Sequence, residues 1–206
     1  MTATVTLLWI PLGAGQNVVR TSGKVFEALS AFAQSRSTCD LYHSALVVAI
    51  PGAHYVIEMT PIPDRHGARR GVVAEGAVGS KWLAKIRHFR YEIRRWADGV
   101  VPDAEHAVAS MTFHLELDAA HRLLAAVSLV PTSVWGRDEL GAGEMWNSNS
   151  VTSWVLRQGG IDAARVQPPI GGRAPGWNAG VVVAHRAVND SARRTARQAG
   201  RLREPA

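Results

Sequence analysis

The pattern of apolar and polar positions along the chain predicts a set of short strands. Residues 4–11 (TVTLLWIP) form a β-branched and apolar run that ends at a proline, which is typical of a strand. Residues 41–50 and 54–59 are two further runs separated by Pro51-Gly52-Ala53, and this spacing predicts a β-hairpin with proline and glycine in its turn. Further strands are predicted over residues 71–74, 84–96 (where the alternation slips, as at a bulge) and 181–184.

Apolar residues at helical spacing predict three helices. In residues 22–33, Val25, Leu29 and Phe32 fall on one face. Residues 118–130 begin with a capping aspartate and are followed by Pro131, and residues 150–158 are followed by a Gly-Gly pair that suits a helix end. Antiparallel hairpins that are separate from helices indicate an α+β domain, with an antiparallel sheet or barrel packed against a few helices.

Composition and charge divide the chain in two. With 206 residues, 47% of them hydrophobic and 19% charged, the chain has the composition of one globular domain, which we assign to residues 1–183. From residue 184 onward six arginines face only Asp190 and Glu204, so this basic tail holds +4 of the formal net charge of +6. The tail has no aromatic residues that would stack on bases, so we expect a solvated, flexible segment and not a nucleic-acid-binding one.

The cysteine and histidine content and the apolar stretches of the chain bear on its cellular location and on which disulfide or metal sites it can form. The single cysteine, Cys39, excludes a disulfide framework and a cysteine-based metal cluster. The eight histidines lack ligand spacing, and we expect no metal and no cofactor. The first residues lack a basic signal-peptide region and no apolar stretch approaches the roughly 20 residues of a membrane span, so a cytoplasmic location is expected.

Three residues carry groups that could act together in acyl transfer. His43 and Glu58 fall on the paired strands of the hairpin, where Cβ atoms of facing residues lie about 5 Å apart, so the carboxylate is placed to orient the imidazole. Ser150 begins a helix after an Asn-rich loop, where unpaired N–H groups stabilise a developing oxyanion. Taken singly, each has a plainer interpretation: a helix cap, a packed histidine and a solvent-facing glutamate.

A resemblance to a known protein family connects His43, Glu58 and Ser150. The segment HSALVVAIPGAHYVIEMTP (residues 43–61) resembles the catalytic hairpin of the permuted papain-like (NlpC-like) superfamily, in its lecithin:retinol acyltransferase-like branch. Asn149-Ser150 with the following VTSWV resembles that branch's NCxxFV motif, with serine in place of the nucleophilic cysteine. The resemblance implies a hydrolase or acyltransferase acting on an amide, ester or thioester through Ser150, His43 and Glu58, with a small-molecule, peptide or lipid acyl substrate.

Serine in place of cysteine at position 150 leaves other interpretations of the function open. A hydroxyl is not readily held as an anion beside an imidazolium as a thiol is, so the alternative is an inactive papain-like module that binds a peptide or lipid. A nucleic-acid-associated protein led by the basic tail is a third class. Around the site, Asn149 is assigned a catalytic role, and four residues are assigned to substrate binding: Asn147, Trp146, Arg173 and Trp177. His54 is the alternative orienting residue and Ser148 the alternative nucleophile.

Overall fold

The hairpin of residues 40–61 lies at the centre of a mainly antiparallel sheet. The computed structural model describes residues 2–12, 38–62, 71–101 and 103–201. The sheet order is β4-β5-β3-β2-β1-β6, and a short β7 pairs in parallel with the start of β2. The strands are β1 (Thr2–Pro11), β2 (Asp40–Ile50), β3 (Ala53–Pro61), β4 (Val72–Ala77), β5 (Arg90–Ala97), β6 (Ala109–Glu116) and β7 (Gly172–Arg173). The α+β class is confirmed, and the sheet is open, not closed into a barrel.

Helices cover one face of this sheet. They are α1 (Leu117–Ala126), α2 (Ser148–Gln158) and α3 (Trp177–Arg201), and α3 lies against α2. The main core joins alternate residues of the strands, such as Leu46 and Ile57, to Leu123 of α1 and Val155 of α2. Burying each such side chain contributes about 1.5–3 kcal/mol, so this interface is a principal source of stability.

The other face of the sheet holds a smaller apolar cluster. Its buried members are Ile10, Ala45, Val56 and Val101. Ile10, Ala45 and Val56 alternate along their strands with residues of the main core, because successive side chains of a strand point to opposite faces, and Val101 joins them from the segment after β5. The central strands are therefore buried on both sides.

The most regular sequence patterns are confirmed. Strands cover the runs predicted at residues 4–11, 41–50 and 54–59, and Gly52 takes a positive φ of 81° in the turn. The helix predicted over residues 118–130 is α1 followed by a 3-10 turn, Val127–Leu129. The helix predicted to start at residue 150 starts at Ser148, and Gly159-Gly160 follows its last residue.

Two predicted strands are corrected. Residues 84–89 are not extended: the chain forms 3-10 turns at Lys81–Lys85 and Arg87–Phe89, and β5 begins only at Arg90. The run of valines at residues 181–184 belongs to α3, where burial of Trp177, Ala179, Gly180 and Ala184 follows helical spacing. The sequence interpretation also missed β6, and the helix predicted over residues 22–33 lies outside the described residues.

Candidate functional site

The start of α2 is built as a capping box. The side chain of Asn147 accepts hydrogen bonds from the backbone N–H groups of Asn149 and Ser150, at 2.9 and 3.3 Å. In return the Ser150 hydroxyl accepts from the backbone N–H of Asn147 at 3.1 Å. This reciprocal arrangement satisfies N–H groups that a helix start leaves without partners.

The Ser150 hydroxyl is fully engaged inside the protein. Its Oγ donates to the carbonyl oxygen of Gly176 at 2.7 Å, while the carbonyl of Met145 lies 3.2 Å away. The residue is 0% exposed. A hydroxyl that donates to one backbone group and accepts from another acts as a structural link, and neither imidazole nor solvent is among its contacts.

Asn149 ties the helix to the strand that carries His43. Its side-chain oxygen accepts from the Ser44 hydroxyl at 2.8 Å, and its Nδ2 donates to the carbonyl oxygens of Tyr42 and Pro175, each at 2.9 Å. The amide is thus shared between β2 and the loop before α3. Because the oxygen and the nitrogen of its side-chain amide are both hydrogen-bonded within the protein, Asn149 positions neighbouring elements and does not present a donor to a substrate.

His43 lies on the sheet face opposite α2. Its neighbour Ser44 points to the helix, so alternation directs His43 to the other side, where it pairs in register with Ile10 of the second cluster. Burial lowers the pKa of His43, because removing water disfavours the charged imidazolium; Asp103 opposes this shift. Burial at this position therefore favours the neutral form of the imidazole.

Glu58 forms an ion pair on the same face of the sheet as His43. It stands in register with Arg94 of β5, and its Oε1 accepts from the guanidinium at 2.7 Å. Glu92 binds the same guanidinium from the other side. Arg94 is only 2% exposed, so this is a buried Glu–Arg–Glu cluster.

The structure therefore brings two of the three predicted groups to one face and leaves the third on the other. His43 and Glu58 share the second face. Ser150 lies with α2 on the helix-covered face, behind the sheet from them. Alternation along β2 would have separated His43 from Ser44 in advance, but nothing in the sequence shows which face α2 covers.

The predicted substrate-binding residues are mostly structural. Trp146 is buried in the main core, and its backbone pairs with that of Gly136 and Arg137. Trp177 donates from Nε1 to the carbonyl of Ala163 at 2.9 Å. Asn147 is the helix cap described above. Arg173 pairs through its backbone with Leu41.

The two alternative site residues also have defined positions. His54 is exposed beside the hairpin turn, where its Nδ1 lies 3.2 Å from a carboxylate oxygen of Asp98. Ser148 is buried as the first residue of α2. Sequence reasoning missed Ser44, Glu92 and Arg94; the alternation of β5, which puts Tyr91 and Ile93 inward, is the signal that places Glu92 and Arg94 together on the other face.

One open cleft lies outside this region. It has a volume of about 520 Å³ and is bounded by the start of the β4–β5 connection and by residues 134–139. Among the described residues, no group of three or more acidic, histidine or cysteine side chains is arranged to hold a metal ion. None of the helices in the described ranges is long and apolar enough to cross a membrane.

Comparison of the chain with protein-family models, with curated proteins and with solved structures gives no match.

Proposed function

We propose that this chain is a non-catalytic binding domain on a permuted papain-like frame, with a peptide or a lipid as its ligand. The hairpin that carries His43 and Glu58 and the later helix that opens with Asn149-Ser150 supply the likeness to that frame. The observation that carries the proposal is the buried Ser150 hydroxyl, which is bonded to Gly176 and Asn147.

The chemistry of a serine nucleophile explains why this observation weighs against turnover. Attack requires a base within about 2.6–3.2 Å of the hydroxyl and room for a carbonyl carbon beside it. Ser150 instead donates to a backbone carbonyl, which cannot take its proton, and it has no exposed surface. His43, the expected base, faces away from α2.

A hydrolase or acyltransferase stays the second candidate because of one contact. The hydrogen bond between Ser44 and Asn149 brings the first turn of α2 against the very strand that carries His43. Activity would require Ser150 to leave its capping box and His43 to turn to the other side of the sheet, which costs both hydrogen bonds and core packing.

Labelling with a fluorophosphonate probe separates the two candidates. The wild type, Ser150→Ala and His43→Ala are treated under native conditions, and modified residues are identified by mass spectrometry. We expect no modification of Ser150 in the folded wild type. Labelling of Ser150 that is lost in both variants would establish an activated serine and overturn the proposal.

Cysteine accessibility gives an independent readout of the same site. In Ser150→Cys, we expect iodoacetamide to modify the partly exposed Cys39 in the native state and position 150 only after unfolding. Cys39 serves as the internal reference, since it reports that the reagent is active. Rapid native modification of position 150 would show that the site opens to small molecules.

A further inference from the structure

We propose that the β4–β5 loop, residues 78–89, docks this protein onto an anionic membrane surface. The inference deepens the proposed function, on which it rests for the idea of a binding domain, and it chooses a lipid surface over a peptide. Its test does not depend on the reactivity of Ser150.

The loop exposes large apolar side chains within eight residues of sequence. Trp82 is 69% exposed, Ile86 46% and Phe89 40%. These are the residue types that enter the headgroup region of a bilayer, and tryptophan in particular is enriched there. Leu129 and Ile170 are also exposed, but they are far from each other and from this loop along the chain.

The charged residues within the loop are all basic. Between Glu75 and Glu92 the sequence contains no acidic residue, while it contains two lysines, two arginines and a histidine: Lys81, Lys85, Arg87, Arg90 and His88. Lys81 forms an ion pair with Glu139 and Arg90 with Glu75, and the side chains of Lys85 and Arg87 are exposed on the same loop. Basic residues interspersed with exposed apolar ones along the loop are complementary to anionic headgroups above an acyl layer.

The base of the loop is held in place. The N–H of Gly79 donates to the carbonyl of Trp135 at 2.9 Å, and Arg137 donates back to the carbonyl of Gly79 at 2.8 Å. Ser80 caps the first 3-10 turn by accepting from the N–H of Trp82 at 3.3 Å. The exposed side chains are thus presented on an ordered support, which lowers the entropy lost on docking.

Vesicle flotation tests the proposal. The 206-residue chain is mixed with vesicles of 30% phosphatidylglycerol in phosphatidylcholine or of phosphatidylcholine alone. We expect flotation with the anionic vesicles only, and at least a tenfold loss of apparent affinity in Trp82→Ser/Phe89→Ser. The matched control, Leu129→Ser/Ile170→Ser, removes exposed apolar residues elsewhere and should bind as the wild type does.

The arginine-rich C-terminus must be separated from the loop. A variant with Arg193, Arg194, Arg197, Arg201 and Arg203 replaced by glutamine keeps the loop intact. Binding that survives in the loop variant and is lost in the tail variant would overturn the proposal. So would a lack of anionic-vesicle binding by the wild type, or a dimer in light scattering that only the loop variant abolishes.

Insertion of the loop has its own spectroscopic signature. Brominated acyl chains quench tryptophans that enter the bilayer, and Trp82→Phe keeps an aromatic ring while it removes that fluorophore. We expect quenching of the wild type and at least a twofold smaller effect in Trp82→Phe. Equal quenching in the two proteins would contradict insertion at this loop, whatever the outcome of Ser150 labelling.

Discussion

At the scale of single residues, Ser150 shows how a position expected to be catalytic can be structural. A serine at the third helical position accepts from the cap N–H and can donate to a carbonyl in the same geometry. A cysteine is a weaker donor and acceptor, so the serine suits the capping role better than the residue of the resembling motif.

Replacing Ser150 tests that role through stability. Ser150→Ala leaves the buried Asn147 N–H without its partner and removes the hydrogen bond to the Gly176 carbonyl, and we expect the unfolding free energy to fall by about 1–3 kcal/mol. Urea denaturation measures the change. Ser128→Ala, at an exposed serine, is the control and should change stability by less than about 0.5 kcal/mol. Equal effects would mean that the capping box contributes little.

The lowered pKa of His43 predicts that folding stability depends on pH. Its pKa is lowered in the folded protein, whereas in the unfolded chain a histidine titrates near about 6.5. Below that pH the unfolded state binds a proton that the folded state does not, so folding stability falls as the solution becomes more acidic.

We therefore expect His43→Gln to flatten the decline in stability between about pH 7 and pH 5, relative to the wild type. Urea midpoints at several pH values measure the slope. His121→Gln, at an exposed position of α1, should keep the wild-type slope. An unchanged slope in His43→Gln would show that the pKa of His43 is the same in the folded and unfolded states.

At the scale of elements, the contact between α2 and α3 depends on a residue without a side chain. A Cβ added at Gly180 would overlap the backbone carbonyl of Ser150 and the hydroxyl of Ser153. Glycine thus sets how closely α3 approaches the capping box, and through it the loop that supplies the Gly176 carbonyl.

Gly180→Ala should destabilise the protein, although replacing glycine by alanine usually stabilises a helix. Alanine normally stabilises a helix interior by about 1 kcal/mol relative to glycine. Here we expect destabilisation of about 1–3 kcal/mol, because the two helices must separate. Denaturant midpoints measure it, with Asn178→Ala on the exposed side of the same helix as the control. A stabilised Gly180→Ala would refute the close approach.

The second sheet face depends on Arg94. Arg94→Met leaves two buried carboxylates, Glu58 and Glu92, without this cation, and we expect a loss of about 3–5 kcal/mol. The triple variant Arg94→Met/Glu58→Gln/Glu92→Gln should recover part of this loss, because it removes the buried charges. A triple variant as unstable as Arg94→Met would show that packing, not charge, sets the cost.

Sequence patterns predicted elements where one face is clearly apolar. The β2–β3 hairpin and α1 have strong periodicity and turn signals, and both are present. β6 was missed because only Ala109, Phe113 and Leu115 are partly buried while the other five residues of the strand are exposed. Residues 84–89 alternate as a strand does, yet they cross between strands in 3-10 turns.

The site was predicted less well than the fold because its geometry depends on long-range packing. Residue types and their order identified Asn147, Asn149 and Ser150 as polar groups at a helix start, which they are. Whether this helix covers the face of Ser44 or that of His43 is settled by residues more than 100 positions apart in sequence, such as the Ser44–Asn149 pair. No local period reports that choice.

At the scale of the whole molecule, charge is concentrated away from the packed core. The first two turns of α3 pack against α2 through residues such as Ala179 and Ala184, while residues 185–190 are exposed. Residues 191–206 contain five arginines and one glutamate, which amounts to +4 of the net +6. Most of the net charge therefore lies after Ala184, the last buried residue of α3 among those whose burial is described.

Removing residues 191–206 should consequently change charge and not stability. We expect the net charge to fall from +6 to +2 and the protein to elute earlier in cation exchange. The urea midpoint should move by less than about 0.5 kcal/mol in free energy. A large loss of stability would mean that the end of α3 packs on the domain.

The open sheet bears on how the protein behaves at high concentration. Among the strands that the structure describes, the two outer ones are β4, whose pairing with β5 is irregular between Val72 and Ala74, and β6, whose eight residues pair with β1 without a break. An irregular edge resists strand addition, whereas a regular one offers a row of backbone donors and acceptors. Aggregation of this protein, and the growth of any ordered fibre from it, should therefore begin at β6, where exposed Met111 and Thr112 do little to repel an incoming strand.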